Sequence, residues 1–326
     1  RAEDVWSAAD VVVKVRPPSE LPDGGHEADR AREGQVLISF LFPAQNPELV
    51  ARLAARKCTV LAMDCIPRIS RAQKVDALSS MANISGYRAI VEAAQKFGSF
   101  FTGQITAAGK VAPAKVLVIG AGVAGLQALA TAKRLGAVVE VSDVRPSVKE
   151  QVESLGGRFI ELPELPTGEG QGGYAKELTP EFLAKQREIL KSRIALADVV
   201  ITTAQVPGKK APTLVTRDMV EAMKAGSVVI DVAAAQGGNC ELTRADQEVV
   251  HNHVTILGPS NLAATLASDA SLLYARNLLA LLMLCVKDKQ VALPEKDDIV
   301  EGTLVTRGGE VVHPAIAPLL AVPAGR

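Results

Sequence analysis

Short apolar runs alternate with stretches of helical period along most of the chain. Val11–Val15, Val36–Phe42 and residues 59–63 read as strands, with a helix from Pro47 to Arg56 between the last two. That alternation predicts an α/β layer on a parallel sheet. Residues 17–34 are rich in proline, glycine and charge and predict a loop. Ser85 to Phe101 carries apolar residues near a 3.6 period, which predicts a helix crossing from a first domain into a second. Gly103 to Pro113 reads as a linker or hairpin, with Gly109-Lys110 at its turn. Further strands are predicted at 115–119, 158–160, 197–203, 227–232 and 254–258, and helices at 123–135, 146–155 and 262–286. A hairpin around Gly308-Gly309 closes the chain, and no internal repeat is visible. The fold class is therefore α/β: a Rossmann-type, doubly wound parallel sheet over 114–260, and a second α/β domain from both chain ends, 1–100 and 265–326.

The run Lys115-Val-Leu-Val-Ile-Gly120-Ala-Gly122-Val123-Ala124-Gly125 gives this pattern its chemistry. A buried strand enters G-x-G-x-x-G, a helix follows, and a second strand ends on Asp143, eighteen residues beyond Gly125. Gly120 suits a tight turn, Gly122 lets backbone approach a pyrophosphate, and Gly125 lets the helix pack on the strand. The helix opening at Val123 directs free N–H groups and its positive end at phosphates. Asp143 accepts from the adenosine ribose hydroxyls and repels a 2′-phosphate, which points to NAD(H). Pro163 to Glu177 holds too much glycine and proline to pack a core. It reads as a lid or a surface loop, with Tyr174 placed to cover a bound base.

Composition narrows the alternatives. Hydrophobic residues are 48% and aromatics 3% of the 326 residues, as in an Ala/Val/Leu/Ile core between helices and sheet. Thirty-six basic and 36 acidic side chains cancel, which gives no footing for nucleic-acid binding. Cys58, Cys65, Cys240 and Cys285 lack C-x-x-C spacing, and the histidines form no ligand cluster. The thiols read as reduced and buried in a cytosolic protein, with no metal site. His251 and His253 read as exposed loop residues before a strand. The longest apolar run, Leu278 to Val286, is shorter than the ~20 residues of a bilayer span, so direct membrane insertion is not expected. No signal peptide is visible, and a chain opening at Arg1 inside a helix-like stretch reads as a fragment lacking its own beginning.

One polar segment stands outside the nucleotide pattern: Arg68-Ile-Ser-Arg-Ala-Gln73-Lys-Val-Asp76-Ala-Leu-Ser79-Ser80. Gln73, Asp76 and Ser79 recur at intervals of three, so one helical turn would align them. Arg68 suits a carboxylate or phosphate. Taken alone, the segment reads most simply as a solvated loop and helix cap.

The same segment, extended through Asn83, Gly86 and Tyr87-Arg88-Ala89, resembles the signature loop of the NAD(H)-binding component of proton-translocating nicotinamide nucleotide transhydrogenases. Phe101 to Val116, Gly120 to Gly125, Arg145 to Val152, Gly172 to Glu177, Pro207 to Lys209 and Gly237 to Cys240 continue the resemblance over nearly the whole chain. It implies that Arg68, Gln73, Asp76 and Ser79 contact the nicotinamide and its ribose. Gln73 would also reach toward NADP(H) on a partner component. Val123, Ala124, Asp143, Val144, Arg145 and Gly237 would contact the nucleotide, Tyr174 would be the mobile-loop tyrosine, and Ala204 and Val206 would line the nicotinamide ribose pocket. It further implies a homodimer and partner components that bind NADP(H) and span the membrane. The location implied is cytoplasmic, peripheral on the inner face of the membrane through those partners. The sequence departs from the family pattern at Lys74-Val75, Gln205, Lys210, Ala235-Gln236 and 260–268, and the family's opening segment is missing. Alanine dehydrogenase resembles the fold throughout, but its proton-moving histidine and aspartate would fall at Phe42 and Ala235. A non-catalytic NAD-sensing subunit is the remaining alternative.

Overall fold

The computed structural model describes residues 1–162, 179–206 and 209–321. The chain opens with α1 (Ala2–Ala8), β1 (Val11–Val13), β2 (Val36–Ser39), α2 (Pro47–Ala55) and β3 (Thr59–Ala62). A 3-10 helix, Ser70–Val75, leads into α3 (Ala77–Lys96). Next come the hairpin β4 (Gln104–Thr106) and β5 (Gly109–Val111), then β6 (Lys115–Ile119), α4 (Val123–Arg134), β7 (Val138–Ser142), α5 (Lys149–Ser154) and β8 (Arg158–Ile160). The alternation continues through α6 (Pro180–Leu196), β9 (Val199–Thr202), α7 (Arg217–Glu221), β10 (Val228–Asp231), β11 (Glu248–His251) and β12 (Val254–Leu257). The last elements are α8 (Ala267–Cys285), β13 (Val286–Lys287), β14 (Gln290–Val291), α9 (Asp298–Thr303), β15 (Leu304–Arg307), β16 (Glu310–Val311) and α10 (Ala317–Ala321).

Two compact units result: Arg1–Ser80 with Ser271–Arg326, and Met81–Ala270. In the first, the sheet order is β1-β2-β3-β15-β16. β1 to β3 run parallel, and β15 is antiparallel to β3. Trp6, Leu37, Leu41, Leu53, Val60 and Val305 fill its core. The second unit has a seven-stranded sheet in the order β11-β12-β10-β9-β6-β7-β8, parallel except for the edge strand β11. From β6 the order runs to β7 and β8 on one side and to β9 and β10 on the other, as in a doubly wound fold. Alternate residues serve the two faces. Val116 and Val118 pack with Leu129 and Ala132 of α4 and with Ile90 and Ala93 of α3. Leu117 and Ile119 pack in a separate cluster with Leu190 and Ile194 of α6. The central strands β6, β9 and β10 thus read mainly as Val/Ile/Leu runs.

Several elements differ from the sequence reading. α3 starts at Ala77 rather than Ser85, because Asp76 supplies an N-cap that the periodicity alone does not reveal. The division between units falls near residue 80 rather than 100, since Ala89, Ile90 and Ala93 are buried in the core of the second unit. α6 went unread, although Thr179 caps Phe182 N–H and Pro180 occupies its first turn. α7 and α9 were also missed. β11 was missed too: Asn252 and His253 take positive φ of 47° and 60° in a tight hairpin, and His251 lies in the strand, 2.8 Å from Glu221. Leu262–Cys285 is long and apolar enough to cross a membrane by length and composition, although its longest contiguous apolar run is shorter than a span. Within the first unit, its Tyr274 hydroxyl donates to Lys14 O at 2.6 Å and its Asn277 amide to Lys74 O at 2.8 Å. These bonds tie the helix into a folded unit.

Candidate functional site

The glycine turn joins β6 to α4 within the second unit. Gly120 has φ +104°, and a Cβ there would lie 2.6 Å from Thr203 Oγ1. At Gly125 a Cβ would lie 1.8 Å from Gly120 O, so only glycine lets α4 seat against the turn. Gly122, the N-cap of α4, instead faces open space within 4 Å. The first intrahelical bond runs from Leu126 N–H to Gly122 O. The amides of Val123, Ala124 and Gly125 therefore have no partner within the helix. Val123 is exposed and Ala124 half-buried. The Ala124 carbonyl sits against Gly86 of α3, where a Cβ would come within 2.1 Å of it. An open glycine beside free amides at a helix N-terminus fits a pyrophosphate.

Asp143 ends the second strand of the motif and is 8% exposed. Its Oδ2 accepts from Ala121 N–H at 2.6 Å and Arg145 Nη2 at 2.8 Å. Its Oδ1 accepts from Arg145 N–H at 2.8 Å and Nε at 2.9 Å. The acid is thus held rigidly between the glycine turn and a two-pronged guanidinium. Val144 lies half-buried between the paired residues. A ribose hydroxyl would donate to the remaining lone pairs or displace a prong of Arg145. The Asp143–Arg145 pairing was missed; its only sequence signal is the i, i+2 spacing at a strand exit.

On the other side of β6, Thr203 at the end of β9 donates from Oγ1 to Gly120 O at 3.0 Å. Ala204 and Val206 follow, both half-buried. At the end of β10, Gly237 and Gly238 both take positive φ, 95° and 79°. Gly237 lies under the aliphatic stem of Lys210. Between these segments lies a carboxylate that sequence reasoning missed, Asp231, fully buried. It accepts from Thr202 Oγ1, Thr243 Oγ1 and the amides of Ala233, Asn239 and Cys240. Tyr174, with the rest of the Pro163–Glu177 segment, lies outside the described residues.

The polar segment of the first unit is built from side chains. Arg68 and Gln73 are exposed, and Gln73 sits on the 3-10 helix Ser70–Val75, which buries only Ala72 and Val75. Asp76 caps α3: its Oδ1 accepts from Ser79 N–H at 2.9 Å and its Oδ2 from Ser79 Oγ at 2.5 Å. Asp76 and Ser79 are therefore together, while Gln73 belongs to the preceding turn instead of sharing their helical face. Arg71 pairs with Asp297 at 2.8 Å, Lys74 O accepts from Asn277, and Pro67 packs on Gly302, where a Cβ would come within 2.8 Å. Among the described residues no group of three or more His, Cys, Asp or Glu could hold a metal. The four thiols are free, and burial pushes Cys58, Cys240 and Cys285 up to about 11 and the half-buried Cys65 up to about 12. None is poised as a nucleophile.

Two family models match: the N-terminal domain of alanine dehydrogenase/PNT over residues 1–85 and its C-terminal domain over 89–314. The chain is 49% identical over 323 residues to the NAD(P) transhydrogenase subunit alpha of Haemophilus influenzae, covering 98% of this chain and 62% of that one. It is 51% identical over 318 residues to the subunit of the same name from Cereibacter sphaeroides, covering 96% and 60%. The chain therefore spans about three-fifths of the length of these relatives. The crystal structure of transhydrogenase from Sinorhizobium meliloti superimposes with a TM-score of 0.80 at 42% identity, covering 96% of this chain and 82% of that one.

Proposed function

The chain belongs to the alanine dehydrogenase/PNT family, and from that premise we propose that it is the NAD(H)-binding component of a proton-translocating transhydrogenase. The observation that carries this reading is the open face of Gly122 beside amides of α4 that have no partner within the helix, with Asp143 clamped at the next strand end. The amides of Val123, Ala124 and Gly125 hold the pyrophosphate, and Asp143 takes the adenosine ribose with Arg145 beside it. Ala204, Val206 and Gly237 line the nicotinamide half. The nicotinamide supplies the hydride, which passes to NADP⁺ on a partner component. Arg68, Gln73, Asp76 and Ser79 hold the nicotinamide carboxamide and ribose in transfer geometry, and Tyr174 covers the nucleotide. No general acid or base is required, since hydride passes directly from ring to ring. Alanine dehydrogenase chemistry would need proton-moving groups where this chain has Phe42 and Ala235, and neither side chain can move a proton. The assembly is a homodimer carried on NADP(H)-binding and membrane-spanning partners, on the inner face of the cytoplasmic membrane. Leu272, Leu279 and Met283 of α8, each exposed, give the first unit apolar surface suited to such contacts.

The test mixes this chain with a purified NADP(H)-binding component and follows hydride transfer from NADH to an NADP⁺ analogue. Turnover that needs both proteins is expected. Gln73→Asn should leave NADH affinity within about twofold and slow transfer by about tenfold or more, since a misplaced reactant loses orientation rather than binding. An unchanged rate sinks the role given to Gln73. NADH oxidation driven by pyruvate and ammonium would instead support the dehydrogenase reading. NADH binding without turnover under any condition would support a sensing subunit.

A further inference from the structure

The Asp231 network reaches past its own loop. Asn239 is fully buried in the second unit, its backbone N–H fixed by Asp231 Oδ2 at 2.7 Å. Its side-chain amide grips both polar groups of one peptide residue: Oδ1 accepts from Ala204 N–H at 3.0 Å, and Nδ2 donates to Ala204 O at 2.9 Å. The same Nδ2 donates to Pro212 O at 2.8 Å. Ala204 is therefore paired as a strand residue would be, by a side chain in place of a neighbouring strand. Asparagine suits this task because one short, planar group both accepts and donates. Aspartate would set a carboxylate against two carbonyl oxygens, and alanine would leave three partly buried polar groups without this partner.

The gripped residue lies at the centre of the fold's binding geometry. Gly120 turns beneath it, with a Cβ there 3.2 Å from Ala204 N. The strand order reverses between β6 and β9, and doubly wound sheets bind dinucleotides across the strand ends at that point. Asp143 marks the β7 side, where the adenosine ribose goes. The segment after β9 is then the wall for the other half of the dinucleotide.

We infer that Asn239, held by Asp231, is a positioning residue that fixes the 204–206 backbone as the wall for the nicotinamide half, while leaving the adenosine half untouched. The inference rests on the nucleotide reading above but not on hydride transfer. It is tested by binding to the chain alone, with NADH and AMP as probes. Asn239→Ala should weaken NADH by about tenfold or more and leave AMP within about twofold. Equal losses for both ligands would make Asn239 merely structural, and no loss for either would remove the role; each overturns the inference. If the variant does not fold, amide exchange on the unaltered protein decides. NADH should protect residues 203–206 more than AMP does, and equal protection overturns the inference. Wild-type protein that binds neither ligand would overturn the nucleotide reading and this inference with it. Binding without hydride transfer would count against the transhydrogenase reading alone.

Discussion

The glycine turn of the second unit and the Arg68–Ser79 segment of the first present the groups proposed to bind a ligand in opposite ways. In the turn, the groups offered to a ligand are backbone amides, and three glycines set their geometry by what they lack. In the segment, the groups are side chains on a 3-10 helix and a helix cap. A long-range ion pair, Arg71–Asp297, and a bond from Asn277 anchor it. A backbone site is specified by a few local residues. A side-chain site depends on distant residues that hold its scaffold, here some 200 positions away in sequence. The two should therefore fail differently when broken.

The largest effect tests the local geometry of the turn. Gly125→Ala places a Cβ where Gly120 O already is, 1.8 Å away, with backbone on both sides. We expect a loss of about 3 kcal/mol or more in stability, read as a fall of roughly 10 °C in Tm. Gly122→Ala meets nothing within 4 Å and should leave Tm within about 1 °C, yet weaken NADH by filling the pyrophosphate's approach. If both variants lost stability equally, or neither did, the division between packing glycine and approach glycine would collapse.

The same difference explains what was legible in the sequence. Gly120, Gly122 and Gly125 could be given separate roles from spacing alone, because each role is a constraint on local backbone. The doubly wound sheet was legible for a like reason: β6, β9 and β10 are buried over nearly their whole length and read mainly as Val/Ile/Leu runs. α6 was not, because its buried face consists of Phe182, Gln186, Leu190 and Ile194, one residue per turn and one of them polar. β11 is an edge strand with alternating exposed positions and no apolar run. Residues 68–79 carried no chemistry of their own until a family resemblance supplied it, since neither Asp297 nor Asn277 is near in sequence. Asp231 and Asn239 were hidden for the opposite reason. A buried acid at a strand end looks like any other until its donors are located, and they come from the end of β9 and from the segment after β10.

An intermediate effect asks how far one side chain matters inside the backbone site. Asp143→Asn removes the charge proposed to face the ribose and the carboxylate that Arg145 holds in two prongs. NADH affinity should fall by about tenfold, the scale of one charge-assisted hydrogen bond. The affinity ratio of NADPH to NADH should rise, because a 2′-phosphate would no longer meet a like charge at position 143. The ratio of the two dissociation constants, by calorimetry, is the measurement. A ratio unchanged from wild type would mean that the Asp143–Arg145 pair does not set the choice of nucleotide.

The smallest effect probes the remote anchoring of the side-chain site and is read against pH. The Arg71 guanidinium, and then the amides of Val300 and Ile299, hold the Asp297 carboxyl below its ordinary value of 3.8, outweighing burial, which pushes the other way. A carboxylate whose folded value is depressed contributes stability that is complete above its unfolded value. That contribution disappears as pH falls through the lower folded value. Asp297→Asn keeps a side chain able to cap α9 but loses the charge facing Arg71. The variant should melt slightly below wild type at neutral pH, with a constant gap down to about pH 5, and the gap should close as the medium becomes more acidic than 3.8. A gap that persisted at pH 2 would mean that the aspartate acts through its shape. The Arg68–Ser79 segment would then be held mainly by the Asn277 bond and the Pro67–Gly302 contact, neither of which titrates.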